Sequence, residues 1–218
     1  MKAPTMKRYL MCFATLAFAV GCASEEPVAD PAAETEHGGV DEAAFSENAA
    51  GEHEEHGDHE HVMFALNGEN TEVLFTGVKK SGDSHSGGFK TLTGEMEICE
   101  GKVLGLMVTI ETDSLWSDAD RLTGHLKNED FFSVNEFPEM KFESSSISGD
   151  GDVTVTGMLT MHGETAEISF PATISVEDDS VKMSSEFKVD RTKFGMDYVG
   201  KADDPINAEV DIKVTVGG

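Results

Sequence analysis

Four histidines at spacings of three, three and two, His53, His56, His59 and His61, stand among Glu52, Glu54, Glu55, Asp58 and Glu60. Imidazole nitrogens set among carboxylates suit Zn²⁺, Cu²⁺ or Ni²⁺, and histidine-rich tracts bind such metals. Without a rigid scaffold they would hold a transition metal only weakly, and the same residues also read as a solvated acidic linker. Further along, His85, His125, His162 and Arg191 are candidates to donate to the polar group of a ligand. No G-x-S-x-G elbow, H-E-x-x-H pair or glycine-rich phosphate loop accompanies them, so catalysis is not expected. Cys99, in "MEICEG", reads as a small packed side chain and not as a nucleophile.

These residues sit in a chain with three distinct parts. The opening "MKAPTMKRYLMCFATLAFAVGC" has Lys2, Lys7 and Arg8, then a mostly apolar run from Tyr9 to Val20, then small residues. That is the layout of a secretory signal over residues 1–21. An apolar run of this length rises only ~18 Å as a helix, short of the ~30 Å of a bilayer core. Its end, "AVGCAS", resembles the lipobox of bacterial lipoproteins, with Cys22 as the lipidated first residue of the mature chain. Ala23 and Ser24 carry no aspartate-type retention signal. The resemblance therefore implies an exported, periplasm-facing lipoprotein of the cell envelope, anchored by Cys22 in the outer membrane. The alternative is a cleaved and freely soluble exported protein.

Residues 22–61 hold thirteen acids and no lysine or arginine. Such a segment cannot bury enough apolar surface to offset its ordering entropy, so it is expected to be a disordered acidic tether. Loss of residues 1–21 removes three basic groups and no acid, taking the formal net charge from −26 to −29. Nucleic acid is thereby excluded as a partner, because it requires basic patches.

From residue 62 to 218 the pattern changes to period-two alternation. The apolar positions are Val73 and Phe75; Leu92, Met96 and Ile98; Leu104, Leu106, Val108 and Ile110; and Met140 to Ile147. They continue through Val153 to Met161, Ile168 to Val176, Val181 to Val189, and Val210 to Val216. That makes eight strands, each with one apolar face, separated by the turn signals "CEGK", "SGDGD", "HGET" and "EDDS". Eight antiparallel strands with short loops can close into an all-β barrel, which removes exposed edges; a two-sheet sandwich would give nearly the same alternation. Small residues at inward positions, Gly94, Gly157, Ala172, Ser144 and Ser146, hint at unfilled space inside.

One stretch breaks the alternation. "HLKNEDFFSVNEFPEMKFES" is irregular and aromatic, and it is followed by "VTGMLTMHGETAEISFP" and "FKVDRTKFGM". These three blocks, in this order, resemble the signature blocks of the YceI-like family, bacterial envelope proteins with a lipocalin-like barrel that bind polyisoprenoid lipids. The resemblance implies that the irregular stretch is a short helical lid over the open end of an eight-stranded barrel. Phe131, Phe132, Phe137 and Phe142 would line or plug that end. The residues alone also allow a plain plug of the core. Ser117 or Asp118 reads as the helix N-cap, with Leu122 and Leu126 on one face. Arg191, Phe194 and Gly195 match the family's third block. Leu122 and Thr123, however, stand where many members carry an arginine-aspartate pair before the histidine that matches His125.

The implied function is binding or carriage of a long-chain isoprenoid, polyprenyl or quinone-type, without catalysis and without another cofactor. On strand parity the ligand-binding candidates are Phe75, Leu92, Leu106, Val108, Ile110, Phe142, Leu159, Phe170 and Phe187. The lid adds Phe131 and Phe132, and the mouth adds His125 and Arg191. The alternative function is a metal-handling lipoprotein working through His53, His56, His59 and His61. The lipobox makes a direct prediction. Cys22→Ala should shift the protein from the membrane to the soluble fraction of fractionated cells, because stable anchoring needs two or more acyl chains. An unchanged distribution would rule the anchor out.

Overall fold

The computed structural model describes residues 7–8, 60–177 and 180–217. The expected signal cleavage site, Cys22, most of the tether, and His53, His56 and His59 lie outside the described residues. The strands are β1 (His61–Asn67), β2 (Thr71–Lys79), β3 (Ser84–Phe89), β4 (Leu92–Cys99), β5 (Lys102–Glu111) and β6 (Leu115–Ser117). After helix α1 (Asp120–Leu126) come β7 (Glu139–Asp150), β8 (Asp152–Met161), β9 (Glu164–Glu177), β10 (Ser180–Asp190), β11 (Gly200–Lys201) and β12 (Asp204–Val216). A two-residue extended segment, Lys7–Arg8, also pairs with Val62 and Met63.

Apart from the two-residue β11, which pairs only with β12, the labels resolve into eight strands; the alternation predicts part of each and misses the halves β1, β3 and β6. Three of those strands crease at the same level. β1 continues into β2 through Gly68–Asn70, β3 into β4 through Lys90–Thr91, and β5 into β6 through a 3₁₀ turn at Thr112–Ser114. The halves pair in step: β1 with β4, β2 with β3, β4 with β5, and β3 with β6. The remaining pairs run β5–β7–β8–β9–β10–β12, and β12 returns to β2. All of these pairings are antiparallel, and the sheet comes round to its first strand as a barrel.

Side chains satisfy the backbone where the creases interrupt it. Asn70 accepts from the Asn67 N–H at 2.9 Å and donates to the Ala65 carbonyl at 2.9 Å. Thr112, fully buried, donates to the Phe137 carbonyl at 2.7 Å, and its N–H donates to Pro138. The tight hairpins at Glu100–Gly101 and His162–Gly163 place both central residues at positive φ, the two-residue turn whose twist matches the flanking strands.

Two bulges correct the inward positions read from parity. The register slips at Glu97/Ile98, where Ile98 pairs with Val103 and Glu97 with Gly105. Leu104 is thereby turned outward, 49% exposed, while Val103 takes the core position. A second slip between Ser144 and Ser146 turns Ser146 to solvent and brings Ile147 inward. One extra residue on one strand flips everything beyond it.

The barrel is solid at one end and hollow at the other. Phe64, Ile98, Val103, Val155, Ala172 and Val181 are buried and fill the end away from α1. At the α1 end an apolar cavity of about 350 Å³ remains, and its lining includes none of those six. Truncations should report this difference. Phe64→Ala, in the solid end, is expected to cost ~3–5 kcal/mol. Phe75→Ala, whose ring faces the cavity, should cost clearly less, because its neighbourhood is already partly empty. Urea titration of the two variants checks this, and equal costs would mean the hollow end is in fact packed.

Candidate functional site

The cavity wall comes from alternate residues of the long strands. Of the sequence-predicted residues, Phe75, Leu106, Val108, Ile110, Phe142, Leu159, Phe170 and Phe187 line it. Phe142, Phe170 and Phe187 form a connected aromatic wall, with Phe142 and Phe170 at 5.5 Å and Phe170 stacked on Phe187 at 4.3 Å. Leu92 does not reach the cavity; it is buried in the packed core behind it. Two glycines of the strand wall act as seats for rings and not as voids. A Cβ on Gly157 would stand 2.7 Å from the Phe142 ring, and one on Gly87 2.5 Å from the Phe75 ring. The hollow therefore exists despite the small residues, which bring the rings closer to the wall.

The irregular stretch does form a roof. Leu122, Leu126, Phe131 and Phe132 all line the cavity from above. Leu126 and Phe131 are buried with Leu115, and Phe132 packs edge-on against Phe89 at 5.7 Å. The loop after α1 is wound tightly by backbone bonds, including Phe132 N–H to Leu126 and Phe137 N–H to Ser133, at 3.0 and 2.9 Å. Two parts of the expectation need correction. Phe137 does not line the cavity; its ring packs on His162 and against Gly163. Phe142 lines it, but from strand β7.

The helix start also differs from expectation. Its N-cap is Ala119, with no side-chain cap bond, because both predicted caps are engaged elsewhere. Ser117 bonds Thr123 Oγ1 at 2.8 Å. Asp118 fastens the lid to β3 instead. Its N–H donates to the Ser86 carbonyl at 2.9 Å, its Oδ2 accepts the Ser86 N–H at 3.0 Å, and its Oδ1 meets His85 Nδ1 at 2.9 Å. The Ser86 N–H, followed by His85, holds the Asp118 carboxyl below the usual carboxylate range.

Three polar side chains reach the cavity near the lid: Lys79, His85 and Arg191. Lys79 Nζ stands 3.8 Å from Asp204. Arg191 is 5% exposed and donates to the backbone carbonyls of Asn207, Met196 and Ile206. No carboxylate of the described residues lies within ion-pair distance of it. Burial pushes its pKa down, against the pull of Asp197 and Asp190. His125 is outside the cavity. It bonds Asp130 at 2.9 Å and packs between Phe131 and Tyr198. His162 meets the Phe194 carbonyl at 3.0 Å. His61 opens β1 and bonds Glu97 at 2.7 Å. Among the described residues no group of three metal-ligating side chains occurs.

Other lining residues escaped the sequence reading. Met96, Met140, Met161, Met183, Met196 and Ile206 all face the cavity. The first four lie on the apolar parity of their strands and could have been taken from it, whereas Met196 comes from the irregular return after β10 and Ile206 from the start of β12, before its bulge.

The profile of the YceI-like domain matches residues 64–217. The chain belongs to the YceI-like family. A UPF0312 protein of Pseudomonas putida is 42% identical over 74 residues, covering 33% of this chain and 38% of that one. One from Pseudomonas fluorescens is 30% identical over 121 residues, covering 52% of this chain and 61% of the relative. The chain thus spans between about two fifths and three fifths of the length of these curated relatives. BcnA of Burkholderia cenocepacia superposes with a TM-score of 0.59 at 21% identity, over 68% of this chain and 96% of that one. A polyisoprenoid binding domain from Saccharophagus degradans gives 0.57 at 12% identity, over 71% and 96%. At these identities the superpositions establish a common fold.

The lid fastening carries a pH prediction. Asp118's folded pKa is depressed, so its contribution is complete above the unfolded aspartate value of about 3.9 and is lost as pH falls through the lower, folded one. Asp118→Asn should speed amide exchange in residues 86 and 115–132 at neutral pH. The difference from the parent should vanish under strong acid. Identical exchange at neutral pH would show that the carboxylate does not hold the lid.

Proposed function

We propose that the protein binds a long-chain isoprenoid lipid, polyprenyl or quinone-type, in the barrel cavity and carries it without altering it. The observation that carries this reading is an apolar cavity enclosed by the strand wall and roofed by Leu126, Phe131 and Phe132. Each buried CH₂ contributes ~0.8 kcal/mol, so ten of them supply ~8 kcal/mol before the costs of association. That is near the micromolar range, which suits a carrier that must also let go. Apolar walls select by length and shape, with few polar contacts to orient the ligand.

Those few contacts are at the mouth. Arg191 uses three of its donor directions on backbone carbonyls, and a guanidinium has five N–H groups. The remainder, with His85, suit a head that accepts hydrogen bonds, such as a quinone carbonyl. The protein whose fold this chain shares from Saccharophagus degradans is described as a polyisoprenoid binding domain, which supports the same ligand class here. In this reading Cys22 anchors the protein in the outer membrane, and residues 22–61 let the barrel stand off it on the periplasmic side.

Organic extraction of the purified protein followed by mass spectrometry should recover a prenyl lipid. Saturating ligand at a hundred times Kd should raise Tm by roughly 5–10 °C. An empty extract together with no thermal shift on adding prenyl lipids would defeat the proposal.

A further inference from the structure

Five methionines line this one cavity, Met96, Met140, Met161, Met183 and Met196, and all five are buried. They form two groups. Met140, Met161 and Met196 pack around Phe194 near the lid, beside Arg191, whose guanidinium donates to the Met196 carbonyl. Met96 and Met183 lie deeper. Met96 pairs across strands with Phe64 and Leu106, and Met183 with Val216. They border the solid end of the barrel, where Phe64, Val155 and Val181 leave no lining surface.

The position of the deeper pair matters because of a mismatch of size. About 350 Å³ is at the small end of the range for cavities that hold a drug-sized ligand. A long isoprenoid is larger than that. A floor of branched side chains would fix the depth, since their rotamers are few and well defined. Methionine is unbranched, has three rotatable bonds, and refills irregular space at little cost. A thioether lying against the chain's end can turn aside and expose further depth, then return when the cavity is vacant.

We propose that Met96 and Met183 form an adjustable floor that sets the range of isoprenoid chain lengths the cavity accepts. The methionines near the lid remould the wall in the same way where the chain enters. Breadth of chain length is thus a property of side-chain chemistry at two positions, on a barrel whose backbone stays fixed. This inference rests on the carrier reading above.

The test compares geraniol, farnesol and geranylgeraniol by displacement of the fluorescent apolar probe N-phenyl-1-naphthylamine from the full chain. The variants are Met96→Leu/Met183→Leu and each single substitution, which conserve volume while reducing rotamer freedom. The parent is expected to bind the two longer alcohols within about three-fold of one another. The double variant should keep farnesol within about two-fold and lose about ten-fold for geranylgeraniol, the equivalent of one or two methylenes left unburied. Each single variant should show part of that loss, which keeps the test open if the double variant folds poorly. Unchanged selectivity in folded variants overturns the adjustable floor and leaves the carrier reading standing. Failure of the parent to bind any of the three overturns the carrier reading, and this inference with it.

Discussion

Backbone hydrogen bonding around a ring of eight strands is the constraint from which the rest of this protein follows. Once strand pairing passes from β12 back to β2, the wall meets its amide requirements laterally, and its inner face is free to be apolar throughout. A ring of this size is at the limit of what its own side chains can fill. Here the limit is resolved asymmetrically. Phe64, Val155 and Val181 complete one end, and the other is left to a cavity under a separate lid. The creases at Gly68–Asn70, Lys90–Thr91 and Thr112–Ser114 mark the side of the wall that bends from the solid half to the hollow one.

A hollow lined by phenylalanine and methionine would be unfavourable if water entered freely, so the roof is as much a part of the cavity as the strands are. Its residues come from a single continuous excursion between two neighbouring strands, β5–β6 and β7. The excursion is held by two kinds of contact that differ in strength. Leu126 and Phe131 are buried against the barrel mouth. The Asp118 fastening to Ser86 and His85 is exposed to solvent, where such contacts are worth little individually. The lid is therefore located by hydrogen bonds and stabilised by apolar burial. An apolar ligand beneath it adds to the second contribution without disturbing the first.

The alternation of apolar residues was enough to read eight strands, because the inward and outward faces of a strand are set locally by the pleat. What it could not carry were the events that shift parity. The bulges that expose Leu104 and Ser146 depend on how the neighbouring strand is aligned, and nothing in "KVLGLMVTI" or "KFESSSIS" marks them. The cap positions failed for a related reason: Ser117 and Asp118 are good caps, but Thr123 and the Ser86 amide compete for them in the folded chain. His125 was placed at the mouth by resemblance, and the structure turns it outward onto Asp130 and Tyr198. The glycines were legible as small and not as seats, since Gly157 and Phe142 meet only when β7 and β8 are in register.

Arg191 shows how a strongly acidic chain can still keep a positive group on the wall of its cavity. The formal charge is −26, yet among the described residues the one cation buried in the cavity wall is held by carbonyls, with no carboxylate in contact. A buried charge held only by dipoles costs more than one that is fully paired. Neutralising it with an aspartate would have been simple in a sequence so rich in acids, and it would have consumed the remaining donors. Leaving Asp190 and Asp197 at a distance lowers the cost of the charge without pairing it directly. Among the described residues no acid lines the cavity, so the negative charge of the barrel lies outside it. The inner wall thus carries a guanidinium held by three backbone carbonyls, near the lid and beside Lys79 and His85, in a largely apolar cavity.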